Sequence, residues 1–191
     1  MSVTKLLSRI ASVEHGEQGQ SIPTSSSKVT PPPATSSFGI TSDPLTQFAA
    51  FFCALIHDVD HPGVPNTNFA LEKPDLAQVY RNRSIAEQNS IDLAWALLMR
   101  DEFRDLRCCI CADDAELMHF RQLVVQMVLA TDIMDKEIGL LRKERWLKAF
   151  PAEGDQEEPS KSFDPIETRN RKATIVIEHL IQASDVSHTM Q

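Results

Sequence analysis

The stretch that decides the fold is residues 43–66, DPLTQFAAFFCALIHDVDHPGVPN. It opens on Asp43-Pro44. The aspartate can accept the first free N–H groups of a helix, and proline at the first helical position loses an N–H that had no partner anyway. Leu45 to Ile56 is apolar nearly all round, which predicts a helix buried on every side. Pro62-Gly63 predicts its end soon after His61.

Further along, the same helical language recurs. Ser84-x-x-Glu87 reads as a capping box opening a helix on which Ile91, Trp95 and Leu98 repeat at helical spacing. A third helix is predicted from about Asp113-Asp114, with a stripe of Leu117, Phe120, Leu123, Val124, Met127, Val128 and Thr131. Asp135 to Phe150 is helical in composition, with Ile138, Leu141 and Trp146 as core anchors. Gly154 to Ser162 is polar and acidic and reads as a loop. Asp164-Pro165 repeats the aspartate–proline start, and Ala173 to Ala183 forms an apolar helical run. No strand pattern of useful length appears, so the fold class is all-α, a compact multi-helix array. Residues 1–42, rich in Ser, Thr and Pro between Ser21 and Ser37, bury almost nothing and read as a disordered leader before a folded portion at 43–191.

Composition narrows the function classes. The chain has 191 residues, is 42% hydrophobic and carries a formal charge of −8. That charge argues against a nucleic-acid surface, which normally shows a basic patch. A small anionic substrate stays open, because a bound cation reverses the local field. Cys53 reads as a small buried hydrophobe. Cys108-Cys109-x-Cys111 is too tight for paired zinc spacing, which points to reduced thiols. No signal-peptide core follows Met1, and no run approaches the ~20 apolar residues of a membrane span. The expected compartment is cytoplasmic.

The chemistry sits at the end of the first helix, in His57-Asp58-Val59-Asp60-His61. Adjacent His and Asp can place a ring nitrogen and a carboxylate oxygen on one metal ion, and the second oxygen of Asp58 can bridge to another. His61, four residues after His57, shares its face if the helical turn continues. Two histidines and two aspartates directly after an apolar helix are costly to desolvate without a charge to pair with. A minor alternative is the zinc-protease pattern His-Glu-x-x-His with Asp in place of Glu, which the immediate Pro62-Gly63 opposes. Asp185, after the last apolar run, can supply a distant carboxylate, although Ser184-Asp185-x-Ser187 is also ordinary capping chemistry. Thr131-Asp132 is open between a site and a polar helix terminus. Glu87 is open between a site and the acid of a capping box.

Taken together, these blocks resemble the class I 3′,5′-cyclic-nucleotide phosphodiesterases. His-Asp-Val-Asp-His-Pro-Gly-x-x-Asn is the family's signature and stands here at 57–66. Ser84-x-x-Glu87, Met127 to Asp132 and Ala183 to Ser187 follow in the family's order, and the resemblance runs from about Leu45 to Gln191. It implies a helical array of the HD-type kind and hydrolysis of cyclic AMP or cyclic GMP to a 5′-nucleotide, assisted by two divalent cations, one zinc-type and one magnesium- or manganese-type. By position it implies His57, Asp58 and Asp185 as ligands of the tighter cation, with Asp58 bridging. It also implies His61, Glu87 and Thr131 around the second cation and the phosphate, with Asn66 and Asp132 on the substrate side. The implied partner is the cyclic nucleotide alone, with no nucleic acid and no membrane segment.

The departures are specific. The family's upstream His-Asn-x-x-His, which supplies a general acid and another metal ligand, has no counterpart; the only upstream histidine is His15, in Val13-Glu14-His15-Gly16. The family's purine clamp would lie beyond Gln191. Asn89-Ser90 stands where two histidines are usual, and Gln182-Ala183-Ser184 where His-x-Ala is usual. The expectation is an incomplete catalytic array with weak or no turnover; a non-catalytic homologue serving as an interaction or nucleotide-binding module is the alternative. Loss of general acid catalysis costs about 10²- to 10⁴-fold. Purified residues 1–191 hydrolysing cyclic AMP or cyclic GMP at an ordinary enzyme rate would overturn that expectation.

Overall fold

A computed structural model of the chain describes residues 43–150 and 165–186, with side chains of the second segment from Arg171 onward. The expected leader at 1–42, the loop at 154–162, the cap Asp164 and Ser187 fall outside these residues. Among those described there are eight α-helices and no strand. They are α1 Pro44–Ile56, α2 Asn66–Glu72, α3 Pro74–Val79, α4 Ile85–Leu98, α5 Arg104–Ile110, α6 Asp114–Leu129, α7 Lys136–Ala149 and α8 Pro165–Val186, with a 3₁₀ turn at Asp101–Phe103 before α5. The all-α expectation holds.

Aspartates start three of the long helices. Asp43 Oδ1 accepts from the N–H groups of Leu45 and Thr46 at 3.1 and 3.3 Å. Asp113 Oδ1 accepts from Glu116 N at 2.8 Å, and Glu116 reaches back to Ala112 N at 2.7 Å. Asp135 Oδ1 takes the N–H groups of Glu137 and Ile138 at 2.9 and 3.0 Å. Each satisfies donors that the first turn leaves open.

The core gathers on α6. Phe120 is fully buried, with the rings of Phe48, Phe52 and Trp95 around it at centroid distances of 5.8, 5.5 and 6.1 Å. Leu123, Val124, Met127 and Val128 continue the stripe, and α1, α4 and α8 pack on it through Cys53, Ile91 and Ile181. A smaller cluster of Phe69, Ala77, Ile85 and Ala86 joins α2, α3 and α4. Cys53 is wholly buried and its thiol lies 3.7 Å from the Val124 carbonyl, as expected of a small core residue. Burial raises its pKa far above the ordinary thiol range. No helix of the described residues is long and apolar enough to cross a membrane.

Two expectations about packing are corrected. Helix α1 is not buried all round: Phe48, Phe51 and Leu55 are 39%, 40% and 79% exposed. Its buried positions are Thr46, Ala49, Ala50, Cys53 and Ile56. The helix is apolar on every face, so composition could not choose one; the face with small side chains packs inward, because it lets α1 lie close to α6. On α7, Leu141 and Trp146 are exposed, while Arg142 and Ala149 are buried. A guanidinium that finds two backbone carbonyls displaces the leucine from the inward position, as described below.

Because Phe120 is fully buried and anchors three other aromatic rings, Phe120→Ala should lower unfolding stability by about 3–5 kcal/mol. Leu55→Ala should move it by no more than about 0.5 kcal/mol. Urea titrations of both variants check the contrast.

Candidate metal centre and adjoining polar knot

Helix α1 ends at Ile56, and His57 is its C-cap. His57 Nδ1 lies 3.2 Å from the Ala54 carbonyl. A carbonyl only accepts, so Nδ1 carries a proton, and in the neutral ring Nε2 presents its lone pair. Nε2 is buried and makes no hydrogen bond. It nevertheless faces Asp58 Oδ2 at 3.2 Å and Asp185 Oδ1 at 3.3 Å, the latter delivered from the end of α8. Without hydrogen-bond alignment, a lone pair against two carboxylate oxygens is repulsive. A cation among the three would turn each contact attractive. One ligand atom from each of His57, Asp58 and Asp185 lies within 4.8 Å of the others. An orphaned imidazole nitrogen, its tautomer fixed by the opposite nitrogen, between two carboxylates suits a divalent cation.

His61 does not join them. The helical turn stops at His57 and Asp60 takes φ 60°, so the chain leaves the α1 face. His61 Nδ1 instead accepts from Gly63 N at 3.0 Å. With Asp60, Phe69, Glu72, Lys73 and Asp75, His61 lines an open cleft of about 540 Å³ that none of the three candidate ligands borders.

Between α2, α4 and the α6–α7 turn lies a second polar cluster. Asn66 Oδ1 accepts from Ala86 N at 2.9 Å, and its amide donates to Glu87 Oε2 at 2.9 Å and Asp132 Oδ2 at 3.3 Å. Ser84 Oγ also donates to Asp132 Oδ2, at 2.7 Å. The other Asp132 oxygen accepts from Met134 N and Asp135 N at 3.0 and 3.2 Å. The capping box expected at Ser84-x-x-Glu87 is therefore absent. Ser84 sits at φ 39° with no side-chain capping bond, and Asn66 caps α4 from outside. Sequence reading missed this role of Asn66, since the residues before α4 already offered a local cap.

Thr131 donates its hydroxyl proton to the Val128 carbonyl at 2.7 Å. Arg142 was also missed. Its Nη1 donates to the Ala130 carbonyl at 2.8 Å and its Nη2 to the Asp132 carbonyl at 3.2 Å. An arginine in a charged helix gave no sign that it turned inward. Asn89 and Ser90 bind the turn after His57: Asn89 donates to Asp60 Oδ2 at 3.2 Å and Ser90 to the Val59 carbonyl at 2.6 Å.

Burial raises the Glu87 carboxyl above its ordinary value, and the nearby Asp132 adds to the rise; the Asn66 hydrogen bond, the residue's own backbone and His61 pull against it.

The described residues form an all-α fold with a candidate His–Asp–Asp cation site. A family model of the 3′,5′-cyclic nucleotide phosphodiesterases matches residues 34–191, and the chain belongs to that family. It is 37% identical over 99 residues to a probable 3′,5′-cyclic-AMP phosphodiesterase of Caenorhabditis elegans, covering 51% of this chain and 14% of that one. With the human cGMP-inhibited 3′,5′-cyclic phosphodiesterase 3A it shares 38% identity over 90 residues, 47% of this chain and 8% of that one. The phosphodiesterase domain of a rhodopsin fusion protein from Salpingoeca rosetta superposes with a TM-score of 0.54 at 23% identity, covering 74% of this chain and 40% of that domain. The chain thus spans well under half of the proteins it matches.

A raised carboxyl pKa means the folded state holds its proton more tightly than the unfolded one. Stability from Glu87 is therefore present below about pH 4.5 and falls as pH rises through the folded value. Glu87→Gln keeps an acceptor for Asn66 and removes this loss. Its melting temperature should gain on the wild type between pH 4 and pH 7, measured by thermal denaturation; a constant difference would show ordinary titration.

Proposed function

We propose that this chain carries a metal-holding portion of a cyclic-nucleotide phosphodiesterase centre and acts on 3′,5′-cyclic nucleotides, opening the ring to a 5′-nucleotide. The observation that carries the reading is the orphaned Nε2 of His57 between the carboxylates of Asp58 and Asp185. Family membership supplies the substrate class, with cyclic AMP and cyclic GMP both candidates.

In this reading His57, Asp58 and Asp185 would hold a zinc-type cation, and Asp58 would also serve a second, magnesium- or manganese-type one. Two such cations would supply Lewis-acid activation of water and charge neutralisation at phosphorus. The chain's own residues then set position and protonation. Glu87, its carboxylate oriented by Asn66, is poised to exchange a proton close to the reacting phosphate. His61 supplies a ring beside the open cleft, and Thr131, just after α6, would serve the second cation and the phosphate. Asn66 and Asp132 serve the substrate side indirectly, since their polar atoms are engaged in holding Glu87, Ser84 and the α6–α7 turn. The catalytic portion is taken to begin at Asp43. A reducing, cytoplasmic setting accords with the exposed free thiols of Cys108 and Cys109.

Calorimetric titration with Zn²⁺ and Mn²⁺ should show binding that is lost in His57→Ala and Asp185→Asn. Chromatography after long incubation with cyclic AMP and cyclic GMP should show a 5′-nucleotide whose formation stops with chelator. Absence of binding by either metal would sink the proposal. Metal and nucleotide binding with no product at any metal concentration would favour the non-catalytic alternative.

A further inference from the structure

Asp185 reaches His57 only at one rotation of α8 about its axis. The apolar face of that helix, Ile177, Leu180 and Ile181, packs into the main core. Aliphatic packing is non-directional and tolerates small rotations, so it fixes the axial setting of a side chain weakly. One polar group on α8 does have a direction. Glu178 is 5% exposed, and its two oxygens lie 3.1 and 3.3 Å from Arg145 Nη1 on α7. Glu178 and Asp185 are seven residues apart, two helical turns, and so share a face. A constraint on Glu178 is passed along a stiff helix to Asp185.

The helix that carries the arginine is itself held. One turn earlier on α7, Arg142 grips the carbonyls of Ala130 and Asp132, and beside Arg145 the Trp146 ring lies 4.6 Å from the His179 ring. Helix α7 is thus fixed at one point to the turn carrying Thr131 and Asp132, and at another to the helix carrying Asp185.

We propose that the Arg145–Glu178 pair is a positioning device: it sets the rotation of α8 and thereby the distance of the Asp185 carboxylate from His57. The inference rests on the reading of His57, Asp58 and Asp185 as cation ligands. A charge pair chosen for stability alone could be exchanged for apolar side chains at little cost. A positioning pair could not, because apolar replacements keep the packing and lose the direction.

The test is Mn²⁺ affinity of the full chain, measured by calorimetry and by the loss of free-ion electron paramagnetic resonance signal. The double variant Arg145→Met, Glu178→Leu should melt near the wild type and bind Mn²⁺ about tenfold more weakly, the low end for losing groups that orient a metal ligand. Arg145→Lys, which keeps the charge, should recover most of that loss. If the double variant does not fold, Glu178→Gln decides by the same affinity ratio. Wild-type affinity in the folded variant overturns the inference while leaving the metal site standing. Failure of the wild-type chain itself to bind Mn²⁺ overturns the site reading, and the inference with it.

Discussion

Two carboxylates and an imidazole lone pair must be held together although, with no cation among them, they repel. The fold meets that constraint by bringing two helix ends to one place. Helix α1 ends at Ile56 with His57 as its C-cap, and α8, from much later in the chain, carries Asp185 in its last described turn. Polar contacts set the orientation of these segments but do not hold the two helices against the core. What keeps them is the apolar contact of both helices with α6, where Cys53, Ile56, Val124, Val128, Ile177 and Ile181 form one buried cluster. The core is placed directly behind the site and offsets its electrostatic cost.

The second cluster follows a different logic. Glu87, Ser84 and Asp132 are buried and Asn66 is half-buried, and their hydrogen bonds run to one another and to backbone N–H groups. Such a network is stable only when its members are satisfied. Its geometry is bought with strained backbone: Arg81, Asn82 and Ser84 all take positive φ. Left-handed conformations of residues with a Cβ cost about 1–3 kcal/mol each and persist where surrounding contacts over-determine them. Ser84, donating to a buried aspartate, is such a case.

Much of this was legible in the sequence, and the limits have physical causes. Helix starts at Asp43, Asp113 and Asp135 were readable because capping is local: cap and donors lie within three residues. The buried stripe from Phe120 to Val128 was readable because helical periodicity records burial. Where every face was apolar, as on α1, periodicity held no information and the exposed Leu55 went unseen. The cap of α4 was misread because Asn66 acts from twenty residues away, beyond any local motif. Arg142 and Arg145 were invisible for a related reason: whether a cation on a charged helix turns inward depends on carbonyls and carboxylates that only tertiary structure brings near.

Asn89 and Ser90 tie helix α4 to the candidate site. Their side chains bond the turn after His57, Asn89 to the Asp60 carboxylate and Ser90 to the Val59 carbonyl. Ser90 is wholly buried and Asn89 nearly so, while the acceptors on Val59 and Asp60 belong to an exposed turn. Asp60 takes φ 60° in the turn they hold. Helix α4 thereby fixes where the chain leaves α1: His57 and Asp58 stay at the helix end, while His61 is turned toward the cleft. The division of the His-Asp-Val-Asp-His run into a ligand half and a cleft half thus rests on a helix that contributes no candidate ligand to the cation site.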